Sequence, residues 1–243
     1  IVDIKTKKSK KIPIDLDGVF SASWSPAGRE IVFTGNHNGS SDIYIYNLDQ
    51  EKYRQITDDI FSDSYPRWNN KGDEIVFVSD RGRYVDGKYS GRMEDHDYRQ
   101  TDIYILNTID GNIRRITDTP DNENHPIWAN TKKTIFYTSD HNGVHNLYKH
   151  SLGSQSESNN ENKSGAYAIT NVLTGLQQPT ISGDDNSLIF AGYSGTGWDL
   201  YSINKPLEMS SKKIMPTHYI KTRDQEDLSV ADIRDTDNID RLD

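Results

Sequence analysis

A four-part repeat runs through the chain and narrows the folds open to it more than any other feature. Each unit opens with an xPxW-like segment, continues with an apolar run and a DIY-like segment, and in three units ends in Ile-Thr. The opening segments are SASW (21–24), YPRW (65–68), HPIW (125–128) and QPTI (178–181). The apolar runs are EIVFTG (30–35), EIVFVSD (74–80), TIFYTSD (134–140) and SLIFAG (187–192). The later segments are DIYIYNL (42–48), DIYILNT (102–108), NLYKHSL (146–152) and DLYSIN (199–204), then QIT (55–57), RIT (115–117) and AIT (168–170).

Each unit predicts four short β-strands separated by turns. Ile, Val, Tyr, Phe and Thr favour strands, and the Gly, Asp, Asn and Ser between them favour turns. The second segment is apolar at consecutive positions, as in Ile75–Val78, so it predicts a strand covered on both faces. Four-stranded units repeating at intervals of roughly 40–60 residues are typical of β-propeller blades. A β-sandwich is the main competitor, but it does not predict one pattern repeating in the same order.

Four segments resemble the repeat of the TolB-like β-propeller family, whose units are WD-like: SPAG (25–28), EIVFVSDRG (74–82), TDIYILN (101–107) and RRIT (114–117). The resemblance covers roughly residues 1–209. The fourth unit departs from it, with Ile181 in place of Trp and GYSGTG (192–197) in place of the SDxxG turn. We therefore predict an all-β propeller with four recognisable four-stranded antiparallel blades and part of a fifth, and we expect the ring to be incomplete in this chain.

The repeat also predicts boundaries along the chain. Residues 1–19 are expected to form the last two strands of a preceding blade. SSKKIMPTHY (210–219) is expected to add one more strand. A short helix is expected at Asp227–Ile233. The predicted blades are 20–59, 60–120 with an insertion at 81–100, 121–171 with a polar loop at 153–165, and 172–209, followed by an acidic linker or tail at 210–243.

Composition excludes several functions. The 243 residues carry a net charge of −9 and no cysteine, which argues against nucleic-acid binding and removes disulfides, thiolate catalysis and Cys-ligated zinc. No apolar run approaches the ~20 residues that span a bilayer, so direct membrane insertion is not expected. The first residue is Ile1 rather than Met, and we expect a fragment of a larger protein. No cofactor is predicted.

The first strand of each propeller blade lines the central channel, so residues before its Pro are expected near one mouth. Seven positions form this predicted binding site: Ser21, Asp63, Tyr65, Glu123, His125, Gln177 and Gln178. Propeller lyases that resemble this family use a His-rich channel site, but one His is too few for their ligand set. A polar lining of a wet channel is the plainer interpretation of the same residues.

The insertion at 81–100 is a second candidate surface. It mixes aromatic and charged side chains, and its predicted binding residues are Arg83, Tyr84, Tyr89, Arg92, His96 and Tyr98. A solvated surface loop is the alternative. GYSG (192–195) is interpreted as a hairpin turn rather than a nucleophile elbow. Asp80, Asp102, Asp140 and Asp199 recur at repeat positions, which predicts a structural role.

The family resemblance implies a non-catalytic module that binds proteins or peptides in the periplasm or cell envelope. No catalytic or metal-binding residue is assigned, and the oligomeric state stays open. One alternative is the substrate-gating propeller of a prolyl-oligopeptidase or tricorn-like peptidase with its catalytic domain elsewhere. Another is a metal-dependent polysaccharide-lyase-like propeller.

Overall fold

The computed structural model describes residues 1–153 and 165–222, and these residues form four antiparallel sheets, each one blade. The first blade holds β1 (Gly18–Trp24), β2 (Glu30–His37), β3 (Ser40–Asn47) and β4 (Lys52–Gln55). The second holds β5 (Asp63–Trp68), β6 (Glu74–Ser79), β7 (Asp102–Asn107) and β8 (Ile113–Arg115). The third holds β9 (Glu123–Trp128), β10 (Thr134–Ser139), β11 (Asn146–Ser151) and β12 (Ala166–Ala168). The fourth holds β13 (Leu176–Ile181), β14 (Ser187–Ser194) and β15 (Gly197–Asn204).

Strands follow one another in chain order within every sheet, so each blade is an antiparallel meander. Two single-turn 3₁₀ helices, Met93–Asp95 and Pro206–Glu208, accompany the sheets. The predicted all-β propeller is confirmed, with four blades in the order of the four repeats. The fourth blade has three strands in the described part of the chain, one fewer than its neighbours.

Apolar side chains of adjacent blades interlock to form the core. Ile43 and Ile45 of the first blade pack with Phe77 and Tyr104 of the second, and all four side chains are at most 1% exposed. The two remaining junctions repeat this arrangement. Burial of each such side chain contributes about 1.5–3 kcal/mol. In β6, alternate residues therefore face opposite neighbours, which explains why its sequence is apolar without interruption.

Two-residue hairpins join the second and third strands where the chain turns most tightly. Asn38 and Gly39 connect β2 to β3 with φ of 50° and 86°, the left-handed pair that a type I′ turn requires. Ser194 pairs with Gly197 across the corresponding turn of the fourth blade. GYSG is therefore a hairpin between two strands and not a strand-to-helix nucleophile elbow.

Residues 1–17 lie beside the first blade. Their bridge between Val2 and Ser9 stands where two strands of a preceding blade were expected. Downstream, Ile12, Ile14 and Leu16 pack against the cluster of Phe33, Tyr44 and Tyr46, covering the outer face of the first blade. The expected helix at 227–233 and most of the polar loop at 153–165 lie outside the described residues.

The chain after β15 crosses back to the third blade instead of adding the expected strand. Lys149 Nζ donates to the backbone oxygens of Leu207 and Met209, at 2.9 and 3.0 Å. Lys212 N then bonds Ala168 O, and Thr217 N bonds Asn142 O. We call residues 205–222 the strap. These contacts with the third blade compete with pairing along β15, so the expectation of a fourth strand there is wrong for the described residues.

Candidate binding site at the channel mouth

Four residues at the same repeat position hold the backbone in the left-handed region. Ser21, Tyr65, His125 and Gln178 have φ of 53°, 53°, 51° and 53°. This conformation is uncommon for any residue except glycine and costs a side chain of ordinary size roughly 1–2 kcal/mol. Its recurrence in all four blades makes it a property of the repeat, maintained against that cost.

Each of these residues sits at a β-bulge in the first strand of its blade. The pairing register shifts between Ser64 and Arg67 in the second blade, and at the matching point in the other three. A bulge breaks the in–out alternation of a strand and re-aims the side chains next to it. In this fold the bulge turns the residue before the Pro position toward the space enclosed by the first strands.

The four residues meet in one cavity of about 340 Å³. The rings of Tyr65 and His125 come within 4.5 Å of each other between their centroids, although 60 residues separate them in the sequence. The lining is mixed, with hydroxyl, imidazole, amide and guanidinium groups beside proline rings and an isoleucine: Ser21, Tyr65, Arg67, His125, Pro126, Ile127, Gln178, Pro179 and Thr180.

Three of the seven predicted mouth residues lie elsewhere. Asp63 is fully buried and accepts both Nη2 contacts of Arg81, at 2.6 and 2.7 Å. Glu123 is 1% exposed, and its carboxyl group accepts hydrogen bonds from the hydroxyls of Thr119 and Ser139. Gln177 lines a separate cavity beside His145. For Asp63 and Glu123 the bulge is the reason, because it places these residues, two positions before Tyr65 and His125, on a different side of the strand. Gln177 directly precedes Gln178, so strand alternation alone turns it to the other side.

Arg67 is a lining residue that the sequence analysis missed. Its Nη1 donates to the backbone oxygens of Ser21 and Pro66, at 3.0 and 3.1 Å, and so ties the first blade to the second at the cavity. Thr180 and Ile127 are its repeat equivalents. The signal was present in the sequence, because each of these residues lies two positions after a predicted mouth residue and strands repeat every two residues.

Electrostatics in the cavity favour a neutral imidazole. Burial lowers the pKa of His125 to about 4, with the nearby His145 and Arg67 acting in the same direction. His125 is therefore uncharged at neutral pH and can both donate and accept a hydrogen bond. With Arg67 as the charged group and several neutral polar groups around it, the cavity suits the carbonyls, amides and carboxylates of a peptide.

The insertion between β6 and β7 forms a second, smaller concavity of about 190 Å³. Tyr84, Tyr89 and His96 gather around Phe61, with ring centroids 4.9–6.1 Å apart. The other predicted loop residues, Arg83, Arg92 and Tyr98, are exposed. The structure thus divides the predicted loop residues into a packed aromatic group and three exposed side chains.

Arg81 anchors the start of this insertion. Its side chain is completely buried, bonded to Asp63 and Asp59 and placed 5.4–5.8 Å from the ring centres of Phe61, Phe77 and Tyr104. Two carboxylates and three rings hold the guanidinium. The insertion therefore begins at a residue that is held rigidly against the blade.

Two of the recurring aspartates also have a structural role. Asp80 and Asp140 accept the backbone N–H groups of Ser62 and Asn122, at 2.8 and 2.7 Å, and fix the loop that leads into the blade. Across the described ranges 1–153 and 165–222, no three His, Asp or Glu side chains are grouped to hold one metal ion. None of the described helices is long and apolar enough to cross a membrane.

Comparison with protein families agrees with the repeat. The family model of the TolB beta propeller domain matches residues 1–86. The Tol-Pal system protein TolB of Francisella tularensis subsp. holarctica is 28% identical over 137 residues, covering 56% of this chain and 28% of that protein. The TolB of Ruthia magnifica is 41% identical over 54 residues, covering 22% of this chain and 12% of its own length. The matched segment thus spans just over a quarter of the first relatives.

Solved structures show the same fold. TolB from Acinetobacter baumannii superposes with a TM-score of 0.61 at 16% identity, covering 89% of this chain and 48% of that one. A prolyl endopeptidase superposes with a TM-score of 0.54 at 10% identity, covering 84% of this chain and 29% of that one. Identities this low establish the fold alone. Together with the family match, they confirm the predicted resemblance to TolB-like propeller repeats.

Proposed function

We propose that this chain, a set of TolB-like propeller blades, acts as a non-catalytic module that binds a protein or peptide at the channel mouth. The observation that carries the proposal is the convergence of Ser21, Tyr65, His125 and Gln178 on one cavity through four left-handed bulges. Strained backbone that presents polar side chains to a concavity is a recurring feature of binding sites.

The chemistry of the cavity favours a peptide over a small charged ligand. His125 and Tyr65 offer flat rings with polar edges, and such side chains anchor many protein interfaces. Arg67 supplies one positive charge for a carboxylate or a backbone carbonyl. The proline rings and Ile127 give apolar contact between these groups. A rigid frame carrying such a cavity binds without paying a large ordering entropy.

The similar TolB proteins are named as components of a Tol-Pal system, which supports a protein partner in the cell envelope. We place the proposed module in the periplasm or at the envelope on the same resemblance. The exposed side chains Arg83, Arg92 and Tyr98 of the insertion form a second contact surface in this proposal, because they are displayed from the rigid point at Arg81.

A peptide selected from a random phage-displayed library tests the channel site. The labelled peptide is titrated by fluorescence anisotropy with wild-type protein, Tyr65→Ala and His125→Ala. We expect each variant to weaken binding about tenfold or more, as loss of an anchoring aromatic does. Ile109→Ala, at a residue 83% exposed in a distant turn, serves as the control and is expected to bind like wild type.

The result would count against the proposal if the two channel variants bound as tightly as the Ile109 control, or if no peptide were selected. Tyr98→Ala separately measures the contribution of the insertion. Unchanged affinity in that variant would remove the insertion from the binding surface while leaving the channel site intact.

A further inference from the structure

The outermost strand of each complete blade docks through a recurring set of contacts. In the second blade, Ile116 N donates to Ile103 O at 2.8 Å, and Ile103 N donates to the Thr117 hydroxyl at 2.8 Å. That hydroxyl reaches Asp102 at 3.3 Å, and Arg115 binds the same carboxylate at 2.6 Å. The segment Arg-Ile-Thr is therefore recognised by one backbone residue and one carboxylate of the third strand.

The first and third blades use the same contacts with altered side chains. In the third blade Asn146 replaces the aspartate, and it accepts the Thr170 hydroxyl at 3.0 Å. Ala168 stands where the second blade has Arg115, so no cation is present. In the first blade, Gln55 donates to the carboxylate of Asp42 at 3.1 Å. The residue before Ile-Thr is thus a polar donor where the receiving residue is an aspartate, and an alanine where it is an asparagine.

The fourth blade presents the receiving half of this arrangement, and no described residue forms a strand on it. Leu200 corresponds to Ile103, and Asp199 corresponds to Asp102, from the shared DIY and DLY segments. Ile43, Ile103 and Leu147 are completely buried because each packs against the following blade, whereas Leu200 is 79% exposed on the face of its sheet. Asp199 is exposed and bonds the Ser194 hydroxyl rather than a cation.

The geometry leaves the edge of β15 open to pairing. Leu200 lies opposite Ala191 of β14, at the same pairing position that Ile103 holds opposite Val78. Ile103 directs its N–H and C=O outward to the fourth strand, so those of Leu200 point away from β14. Among residues 1–153 and 165–222, no backbone hydrogen bond reaches this outer edge.

We propose that the outer edge of β15 is a docking site for an extended peptide strand of a partner protein that carries Arg-Ile-Thr. The strand pairs with Leu200 through its isoleucine, its threonine hydroxyl and arginine bind Asp199, and the blade gains its fourth strand. Charge complementarity between the arginine and Asp199, as between Arg115 and Asp102 in the second blade, favours this occupant over a strand with alanine at the same position. Strand addition to a sheet edge is an established mode of peptide recognition, with backbone bonds giving affinity and side chains giving specificity.

This docking site is separate from the channel mouth. The channel is lined by first strands, whereas β15 is the outermost strand of its blade. The proposal therefore does not depend on the channel function, and each is tested by substitutions that the other does not involve.

Two labelled peptides taken from the chain's own fourth strands test the site by fluorescence anisotropy. The first is NIRRITD, from residues 112–118, and the second is AYAITN, from residues 166–171. We expect the wild-type protein to bind the arginine peptide about tenfold more tightly, because a charge-assisted bond replaces a neutral contact. Asp199→Asn reproduces the receiving residue of the third blade, so we expect it to lose this preference and still bind AYAITN.

Leu200→Pro removes the outward N–H without changing the charge and is expected to abolish binding of both peptides. Proline is tolerated at a sheet edge where the N–H faces solvent, and circular dichroism checks that the variant folds. Asp199→Asn keeps the proposal testable if the proline variant does not fold.

Three results overturn the proposal. One is equal affinity of the wild-type protein for both peptides. Another is peptide binding that is detected only in the Ile214→Asp variant. That result would mean that residues 211–214 of the strap occupy the edge of β15 in the wild-type protein. The third is concentration-dependent self-association that Leu200→Pro removes in the absence of peptide, which would assign the edge to a second copy.

Discussion

Replacing Glu123 by glutamine is expected to stabilise the protein at neutral pH. The Glu123 side chain is 1% exposed, and burial raises its pKa from 4.5 to about 8. Its Oε1 accepts hydroxyls of Thr119 and Ser139, and its Oε2 has no hydrogen-bond partner. The folded protein therefore holds a neutral acid at pH 7, and glutamine is its closest uncharged counterpart.

The magnitude follows from linkage between protonation and folding. The unfolded chain ionises Glu123 above pH 4.5, while the folded protein does not until about pH 8. Stability is consequently lost as the pH rises through this interval, by about 1.4 kcal/mol for each pH unit. At pH 7 the penalty is about 3 kcal/mol, and Glu123→Gln removes it. At pH 5 the gain falls below about 1 kcal/mol by the same relation.

Urea denaturation at pH 5, 6, 7 and 8 measures the difference in unfolding free energy between wild type and variant. Glu208→Gln is the control, because that residue forms an exposed pair with Lys205 and such pairs contribute about 0–1 kcal/mol. The reasoning is refuted if Glu123→Gln destabilises the protein at pH 7, or if its effect does not grow between pH 5 and pH 8.

Two further predictions use differences between equivalent positions. Burial and neighbouring aspartates raise the pKa of Asp42 to about 7, so its ionisation costs stability as the pH rises from 3.8. Gln55→Arg supplies the guanidinium that Arg115 gives the second blade, so we expect it to lower the pKa of Asp42 and to raise the unfolding free energy by about 1 kcal/mol at pH 8. Urea denaturation measures the free energy, and an NMR titration measures the pKa. Arg115→Gln is expected to have the opposite effect in the second blade. Ser21→Gly relieves the left-handed backbone and raises stability by roughly 0.5 kcal/mol, whereas Ser23→Gly in the same strand lowers it by about 1 kcal/mol; equal effects on the thermal midpoint would contradict the role of the bulge.

The architecture was predictable because it depends on local patterns that recur. Strand-forming residues, turn residues and the uninterrupted apolar run of Ile75–Val78 each specify one part of a blade, and four copies make the assignment redundant. The turn at Asn38–Gly39 is equally local, since Asn-Gly is the preferred pair for a type I′ hairpin.

The candidate site was only half predictable. The four converging residues were identified from their repeat position, but Asp63 and Glu123 were assigned to the mouth because they lie close to these positions in the sequence. A bulge one residue long changes which side chains face the channel, and nothing in the residue types of YPRW or HPIW requires it. Arg67 was missed although it lies two positions after Tyr65, where strand alternation would have placed it beside the cavity.

Within residues 1–153 and 165–222 the fourth blade has three strands, because contacts with another blade hold the chain that follows β15. One more strand was expected in SSKKIMPTHY (210–219). Lys149 is a residue of another blade, yet its ammonium holds the backbone of Leu207 and Met209 on a different path. Sequence patterns carry no information on which of two such partners prevails.

Lys149 also affects the order in which the molecule opens. Blades that pack on their sequence neighbours behave as linked units whose stabilities depend on the junctions between them, and strands with few buried contacts, such as the largely exposed β15, open first. We therefore expect amide hydrogens of β6 and β10 to exchange slowly and those of β15 to exchange quickly. The strap adds a further link between the third and fourth blades, beside their apolar junction and the bonds that Asp185 accepts from Asn130 and Thr131. The Lys149 ammonium therefore contributes to the coupling between the opening of one blade and the opening of its neighbour.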